Sequence, residues 1–375
     1  MLISQLKIFG FRNIETASLN TNKRVNVFYG KNGSGKTSIL EALFFLSRAK
    51  SFRTSKKGEL LRDGSSLLAV SADLQQHLET HKLGIGLEGK GTTKLKLDGE
   101  VVTKLSQASI LFPTQLITPE SFDIFWSSPK ARRSFFDFGL FHVEHEFQNE
   151  WNVYSKILKQ TNALLRRGGV NQKELLYWYR GLVESANKID HFRELFLEEH
   201  FSKAIKELAL ELEHNEKTDL LKNLLMRYKK KAFEQEISDD SLLKQIEKDI
   251  KYKQVGFGPN RADYLFLRDG EDMSSRLSRG QAKMLFYLLV VAMVNIIKQT
   301  TKKNILLLVD DLPSEVDQET RQTMLEMLLH SQAQIFVTGI ENNIAMEFMN
   351  YTDSVNVFHV EHGTVRQESM EQLCP

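Results

Sequence analysis

Eight consecutive residues, Gly30-Lys31-Asn32-Gly33-Ser34-Gly35-Lys36-Thr37, match G-x-x-x-x-G-K-[ST], the phosphate-binding loop of nucleoside-triphosphate enzymes. The motif constrains the fold because it works only between a strand and a helix. Its glycines let the backbone bend so that successive N–H groups face phosphate oxygens. Lys36 is placed to reach the β- and γ-phosphates, and Thr37 to put its hydroxyl on Mg²⁺. Val25-Asn26-Val27-Phe28-Tyr29 before it alternates as a half-buried strand does. Thr37 to Leu46 after it reads as a helix whose N-terminus meets the phosphates. Only 29 residues precede the loop, so it is expected within the first sheet with no separate N-terminal domain.

The length of 375 residues allows two or three domains and a sizeable core. Apolar and charged fractions of 41% and 26% belong to the soluble globular class. A net charge of +2 means that any nucleic-acid face must come from local clustering. The single cysteine, Cys374, excludes a disulfide framework and a Cys-based zinc site, and it suits a reducing cytosol. No apolar run approaches the ~18–20 residues that a membrane span needs, and Met1 to Lys7 lacks the pattern of a signal peptide. A cytoplasmic protein with no membrane association is expected.

Leu6 to Ile14 alternates as a strand with one wet face, and Arg24 to Tyr29 delivers the chain to the loop. Arg48 to Lys57 then holds five basic residues in ten and no acid, with Phe52 interleaved, which suits either a solvated loop or a backbone-binding segment. Short alternating runs from about Leu67 to Val102, with the hairpin signal Asp98-Gly99, predict an antiparallel β lobe. From about Phe122 to Asp249 the spacing turns helical. Phe201, Ile205, Leu208 and Leu212 form one stripe, and Trp151–Leu165, Gln172–Leu195 and Ser241–Tyr252 read likewise. This stretch is expected to be a helical arm inserted into the α/β domain, packing its apolar faces on itself. Lys130, Arg132 and Arg133, and Arg227 to Lys231, are two further basic clusters, each weak alone as a sign of nucleic acid. Phe-His-Val-Glu-His occurs at Phe141–His145 and Phe358–His362, in helix-like and strand-like surroundings respectively, so the repeat is read as chance and no metal role is assigned.

Asn304 to Val309 is a continuous apolar run, the mark of a parallel strand buried on both faces, and it ends in Asp310-Asp311. Carboxylates at that end lie on the ligand-bearing edge of an α/β sheet. Asp310 is the expected indirect Mg²⁺ partner, and Asp311 the candidate to orient or activate the attacking water. Upstream, Leu277-Ser278-Arg279-Gly280-Gln281 precedes the long apolar helix from Met284 to Met293 and makes a second anion site. One chain does not need two phosphate cradles for one nucleotide. Two chains arranged head to tail use both, which points to an ATP-gated homodimer.

These residues resemble the ABC-type ATPases and, within them, the RecF family of bacterial DNA-repair proteins. Leu277–Gln281 is similar to the ABC signature, with Arg279 as RecF proteins carry it. Gln115-Leu116-Ile117-Thr118-Pro119-Glu120 looks like the Q-loop region, which makes Gln115 the implied Mg²⁺ and γ-phosphate sensor. Phe11-Arg12-Asn13-Ile14, Ser51-Phe52-Arg53, Pro129 to Asp137 and Leu158 to Asn162 match as well. So do Gly258 to Asp263, with Asn260 in place of histidine, and the D-loop Ser314-Glu315-Val316-Asp317. The resemblance spans about Leu6 to Gly363. It implies an α/β fold: an ABC-type P-loop ATPase head, with a RecA-like core and the β lobe, formed by residues 1–121 and 255–375, and a helical arm at 122–254. It also implies ATP and Mg²⁺ as ligands, with phosphate-loop residues Gly30 to Thr37 and the turn Ser278, Arg279, Gly280 and Gln281 holding the nucleotide. Lys36, Asp310, Asp311 and Gln115 are the implied catalytic set, with Thr37, Gln115 and Asp310 on the metal. Thr338 stands where transporters carry a switch histidine. The shorter Asp311, where most ABC ATPases have glutamate, predicts slow, DNA-stimulated hydrolysis in an ATP-controlled clamp. By resemblance the DNA is single-stranded or gapped duplex, and the partners are RecR, RecO and RecA, in repair, replication restart and the SOS response.

An SMC- or Rad50-like protein needs hundreds of coiled-coil residues between its half-sites, whereas Thr37 and Ser278 are about 240 apart. The ATP-binding subunit of a membrane transporter is the alternative from another class. It normally has glycine at position 279 and a switch histidine, and both are missing here. A small-molecule P-loop kinase leaves the Ser278 turn without a purpose.

Overall fold

Leu306–Val309 is wholly apolar, Gln334–Gly339 has Ile335, Phe336 and Val337 at its centre, and every residue of both is buried, as strands covered on both faces are. They lie inside a six-stranded sheet in the computed structural model, which describes residues 2–76, 79–89, 92–102, 106–169, 171–212, 224–233, 237–274, 276–312 and 316–369. The order across this sheet is Thr364–Glu368, Val355–Glu361, Val25–Tyr29, Gln334–Gly339, Leu306–Val309 and Thr114–Ile117. All neighbours run parallel except the first pair, a hairpin. Phe28 stacks near Phe358 and Phe336, at ring-centroid distances of 4.9 and 6.2 Å.

A second six-stranded sheet is antiparallel throughout, in the order Ile14–Asn20, Leu2–Phe11, Leu67–Gln76, Glu79–Glu88, Lys94–Leu97, Glu100–Val102. Asp98 and Gly99 both adopt positive φ, 50° and 89°, in the tight turn that their sequence predicts. Alternate residues such as Leu6, Ile8, Val70, Leu83 and Ile85 are buried and share one core with Ile39, Leu40 and Leu43 of the helix Lys36–Arg48. The buried Gln334 side chain ties the two sheets together. It accepts from Ile3 N at 2.8 Å and donates to Ile3 O and Thr21 O at 2.9 and 2.6 Å.

The helix Arg279–Thr301 corrects one expectation. It is long and apolar enough to cross a membrane, with an 18-residue window of mean hydropathy 1.7. Its residues from Met284 to Val294 are all buried, so its apolar character belongs to a core helix.

The chain divides into two compact units, Met1–Phe122 with Lys283–Pro375, and Asp123–Ala282. The expected return to the first unit at residue 255 differs from this division. Asp263–Arg268 pairs with Leu225–Lys229 and with Glu271–Asp272, so a three-stranded antiparallel sheet holds residues past 255 in the second unit. The second unit is therefore helical and β together.

Its helices are Pro129–Val143, His145–Arg167, Gln172–Leu195, Ser202–Glu211 and Asp239–Tyr252. Ser128, Asn171 and Ser238 cap three of them with side-chain oxygens. The stripe Phe201, Ile205, Leu208 and Leu212 is buried, as its spacing predicts. Arg193, fully buried, holds this unit together. It makes a two-pronged pair with Asp137 at 2.8 Å and donates to Tyr228 Oη at 2.9 Å and Pro259 O at 2.6 Å. Arg132 likewise pairs through two bonds of 2.9 Å with Asp263 and donates to Phe125 O and Trp126 O. Part of the basic cluster at 130–133 is thus committed to folding, and Lys230 in the 227–231 cluster is paired with Glu194 at 2.7 Å.

Candidate nucleotide site

The strand Val25–Tyr29 ends at Gly30, and the helix starts at Lys36 with no side-chain cap. Its first N–H groups are therefore available to an anion. Gly35 has φ of 120°, and a Cβ there would lie 2.9 Å from Asn13 Nδ2, so only glycine suits the position. Lys36 Nζ donates to Gly30 O at 2.6 Å and Lys31 O at 2.9 Å, folding the side chain back across the loop. Burial lowers the Lys36 pKa, while Asp311 and Asp310 act against that shift.

Two distant segments fasten the loop. Ser34 O accepts from Asn13 Nδ2 at 3.0 Å and from Gly363 N at 2.7 Å. Ser38 Oγ donates to Asn13 Oδ1 at 3.0 Å. Gly363 sits in the hairpin turn between Val355–Glu361 and Thr364–Glu368, at φ of 79°, where a Cβ would come within 2.1 Å of Asn13 O. The second Phe-His-Val-Glu-His copy leads into this turn. The first copy runs from the helix end at Val143 into the next helix at His145. Among the described residues no group of three or more His, Cys, Asp or Glu side chains is placed to hold a metal.

Leu306–Val309 delivers Asp310 to the loop. Asp310 Oδ1 accepts from Thr37 Oγ1 at 3.0 Å and from Thr338 Oγ1 at 2.8 Å. Burial raises the Asp310 pKa; the two hydroxyls oppose the rise, while Asp311 and Glu120 add to it. Asp311 has φ of 54°, and its backbone N donates to Thr338 Oγ1 at 2.7 Å. Thr338, read from sequence only as a missing histidine, thus sets both aspartates. Thr37 and Asp310 supply hard oxygen donors, a set that fits Mg²⁺ with its remaining ligands from phosphate and water.

Lys36, Thr37, Asp310, Asp311 and Thr338 line one open cleft of about 830 Å³, together with Asn32, Gly33, Gly35, Arg12, Arg53 and Glu120. Gln115, expected to sense metal and γ-phosphate, is not among its lining residues. It pairs with Leu307 in mid-strand, whereas Asp310 N donates to Ile117 O, two residues farther along. At ~3.3 Å per strand residue, Gln115 lies short of the sheet edge by about 7 Å. Pro119 and Glu120, at the start of the helix Pro119–Ser127, are the residues of that segment that line the cleft. Asn13, Glu120 and the fastening role of Gly363 had no local sequence signal beyond membership of matched motifs.

In the second unit, the helix Arg279–Thr301 begins immediately after Ser278. Ser278 Oγ accepts from Gln281 N at 3.2 Å, and Gln281 Oε1 accepts from Ser278 N at 3.0 Å, a reciprocal cap. Ser278, Arg279 and Gln281 are exposed and Gly280 is half-buried, so this helix start is presented outward. Asn260 Oδ1 accepts from Tyr154 Oη, a structural tie. Of the expected D-loop, Ser314 and Glu315 lie outside the described residues, as does Cys374. Asp317 caps the helix Gln318–His330 through Thr320 N at 3.0 Å.

Residues 2–366 match the family described as the RecF/RecN/SMC N-terminal domain. The chain is 35% identical over 367 residues to the DNA replication and repair protein RecF of Pseudoalteromonas translucida (strain TAC 125), covering 97% of this chain and 99% of that one. It is 37% identical over 369 residues to the RecF protein of Shewanella loihica, with the same coverage. A solved structure of the recombination mediator protein RecF-ATP in the RecFOR pathway is similar in fold, with a TM-score of 0.79 and 24% identity over 98% of this chain and 99% of that one. With near-complete coverage by both the family and these relatives, the chain belongs to the RecF family of SMC-like, ABC-type ATPases.

Proposed function

We propose that this protein is an ATP-dependent DNA-binding protein of recombinational repair. The observation that carries the nucleotide part is the cleft in which Lys36, Thr37 and Asp310 converge on the uncapped helix start. Lys36 binds and orients the β- and γ-phosphates, and the loop N–H groups hold their oxygens. Thr37 and Asp310 would hold Mg²⁺, which would supply charge neutralisation to the bound phosphates. Asp311, held at the cleft by Thr338, orients the attacking water. Its short reach supports slow hydrolysis, used as a switch. The relatives named for DNA replication and repair support the DNA role, and the RecFOR pathway of the structural neighbour supports partnership with RecO and RecR in loading RecA.

The exposed, reciprocally capped start at Ser278 supports a head-to-tail homodimer, in which each turn closes the partner's nucleotide. DNA at gaps and at single- to double-strand junctions is held across the heads while ATP is bound. The transporter reading gains no support, since position 279 is arginine and Thr338 is committed to the aspartates. Light scattering without nucleotide, with ADP and with ATP, each with and without a gapped duplex, tests the model. Mass doubles only with ATP, and DNA strengthens the doubling. Lys36→Arg loses dimerisation, whereas Ser278→Ala binds ATP yet stays monomeric. Normal dimerisation of Ser278→Ala with ATP overturns the head-to-tail arrangement.

A further inference from the structure

Glu41 lies on the phosphate-loop helix, one turn beyond Thr37, and its side chain is 0% exposed. A carboxylate so deeply buried requires partners. Arg12 meets it with two bonds, Nε to Oε2 at 2.9 Å and Nη2 to Oε1 at 2.7 Å. Ser51 Oγ donates to Oε1, and Arg53 Nη1 stands 3.7 Å from Oε2. Both arginines line the nucleotide cleft. Arg12 holds its place at some cost, since its φ of 53° is one that non-glycine residues rarely adopt. Its backbone N–H donates to Leu60 O and its Nη1 to Glu59 O, both at 2.8 Å, so the side chain is fixed. Arg53 is looser, with 48% of its side chain exposed.

The position of this cluster says which end of the nucleotide it serves. Lys36 and Thr37 face Asp310 and Asp311, the metal and γ-phosphate side. Ser38 faces Asn13, the neighbour of Arg12. The opposite side of the helix start therefore meets the α-phosphate and nucleoside. We infer that Glu41 is a positioning residue that fixes Arg12 and retains Arg53 at the nucleoside end of the bound nucleotide. It acts on ATP and ADP alike. This assignment rests on the nucleotide reading of the cleft.

Calorimetric titration of the full-length protein with ATP and with ADP, alongside steady-state hydrolysis, tests it. Glu41→Gln keeps the volume and one acceptor but gives up the charge that two guanidiniums share. Both dissociation constants rise by the same factor, about tenfold, as expected for loss of charge-assisted hydrogen bonds. Uniform weakening raises KM and leaves kcat unchanged. Adding Arg53→Gln to Glu41→Gln weakens binding by less than the two single effects combined, because they act together. If Glu41→Gln fails to fold by melting temperature, the exposed Arg53→Gln alone decides. An equal loss for ATP and ADP supports the inference, and no loss overturns it. Selective loss of ATP overturns the nucleoside-end placement. Wild-type protein that binds neither nucleotide refutes the nucleotide reading itself, whereas unchanged binding by Glu41→Gln refutes only the role of Glu41.

Discussion

Replacing Thr338 by valine tests how the carboxylate pair is set. The side chains are nearly equal in volume, and Thr338 is 1% exposed, so the change removes one hydroxyl and little packing. Two bonds go with it: the donation to Asp310 Oδ1 at 2.8 Å and the acceptance from Asp311 N at 2.7 Å. A hydrogen bond to a charged group contributes ~1.5–3 kcal/mol, and an orphaned buried N–H costs ~1–3 kcal/mol. Part of the second cost is relieved because Asp311 lies at the open cleft, so a loss of about 2–4 kcal/mol is expected at neutral pH. The sign of the pH dependence follows from Asp310. Its pKa is already raised by burial, and Thr338 is one of the two hydroxyls that oppose the rise. Stability contributed by such a group is present at acid pH and is lost as pH rises through the folded pKa. Without Thr338 the ionised form is penalised further, so the defect grows from acid to neutral pH. The same shift moves the acid limb of ATP hydrolysis to higher pH and raises the Mg²⁺ concentration needed for half-maximal rate. Thr338→Ser retains the hydroxyl and stays near wild type. Thermal melts and rates measured across pH and Mg²⁺ check this. A valine variant with an unchanged acid limb and Mg²⁺ requirement would refute the reasoning.

Two further changes probe other parts of the chain. Gly363→Ala places a methyl group against Asn13 O and forces positive φ on alanine, so nucleotide affinity falls at least about tenfold as the Ser34 anchor shifts, read by calorimetry. Asp190 is 1% exposed and its Oδ2 makes no hydrogen bond; burial raises its pKa, while the Tyr228 hydroxyl and Arg193 oppose the rise. By the same sign rule, Asp190→Asn melts like wild type at acid pH and progressively higher than wild type as pH rises; a pH-independent difference would count against a buried charge penalty.

What the sequence made legible has a common physical character. The phosphate loop, the strand ending at Asp310 and the Asp98-Gly99 turn are set by contiguous residues whose backbone needs are local. The register of Gln115 was not legible, because motif similarity locates a segment but not its register, and two residues along the strand separate it from Ile117, which meets Asp310. The unit boundary was placed early because Asp263–Arg268 finds its partner, Leu225–Lys229, across an intervening helix. Arg132 looked like a candidate for binding anions until its carboxylate, Asp263, came into view more than a hundred residues away. The links of Asn13 and Gly363 to Ser34 are equally remote, and no local pattern encodes them.

That last link has a consequence for how the protein is made. Ser34 and Gly363 lie more than three hundred residues apart, so the carbonyl of Ser34 meets Gly363 only after all the residues between them have been added. Domains that fold during translation normally mature from the N-terminal side. Here the phosphate loop is synthesised well before the residue that fastens its Ser34 carbonyl. The final shape of the loop therefore depends on a hairpin turn that is one of the last parts of the described fold to be made.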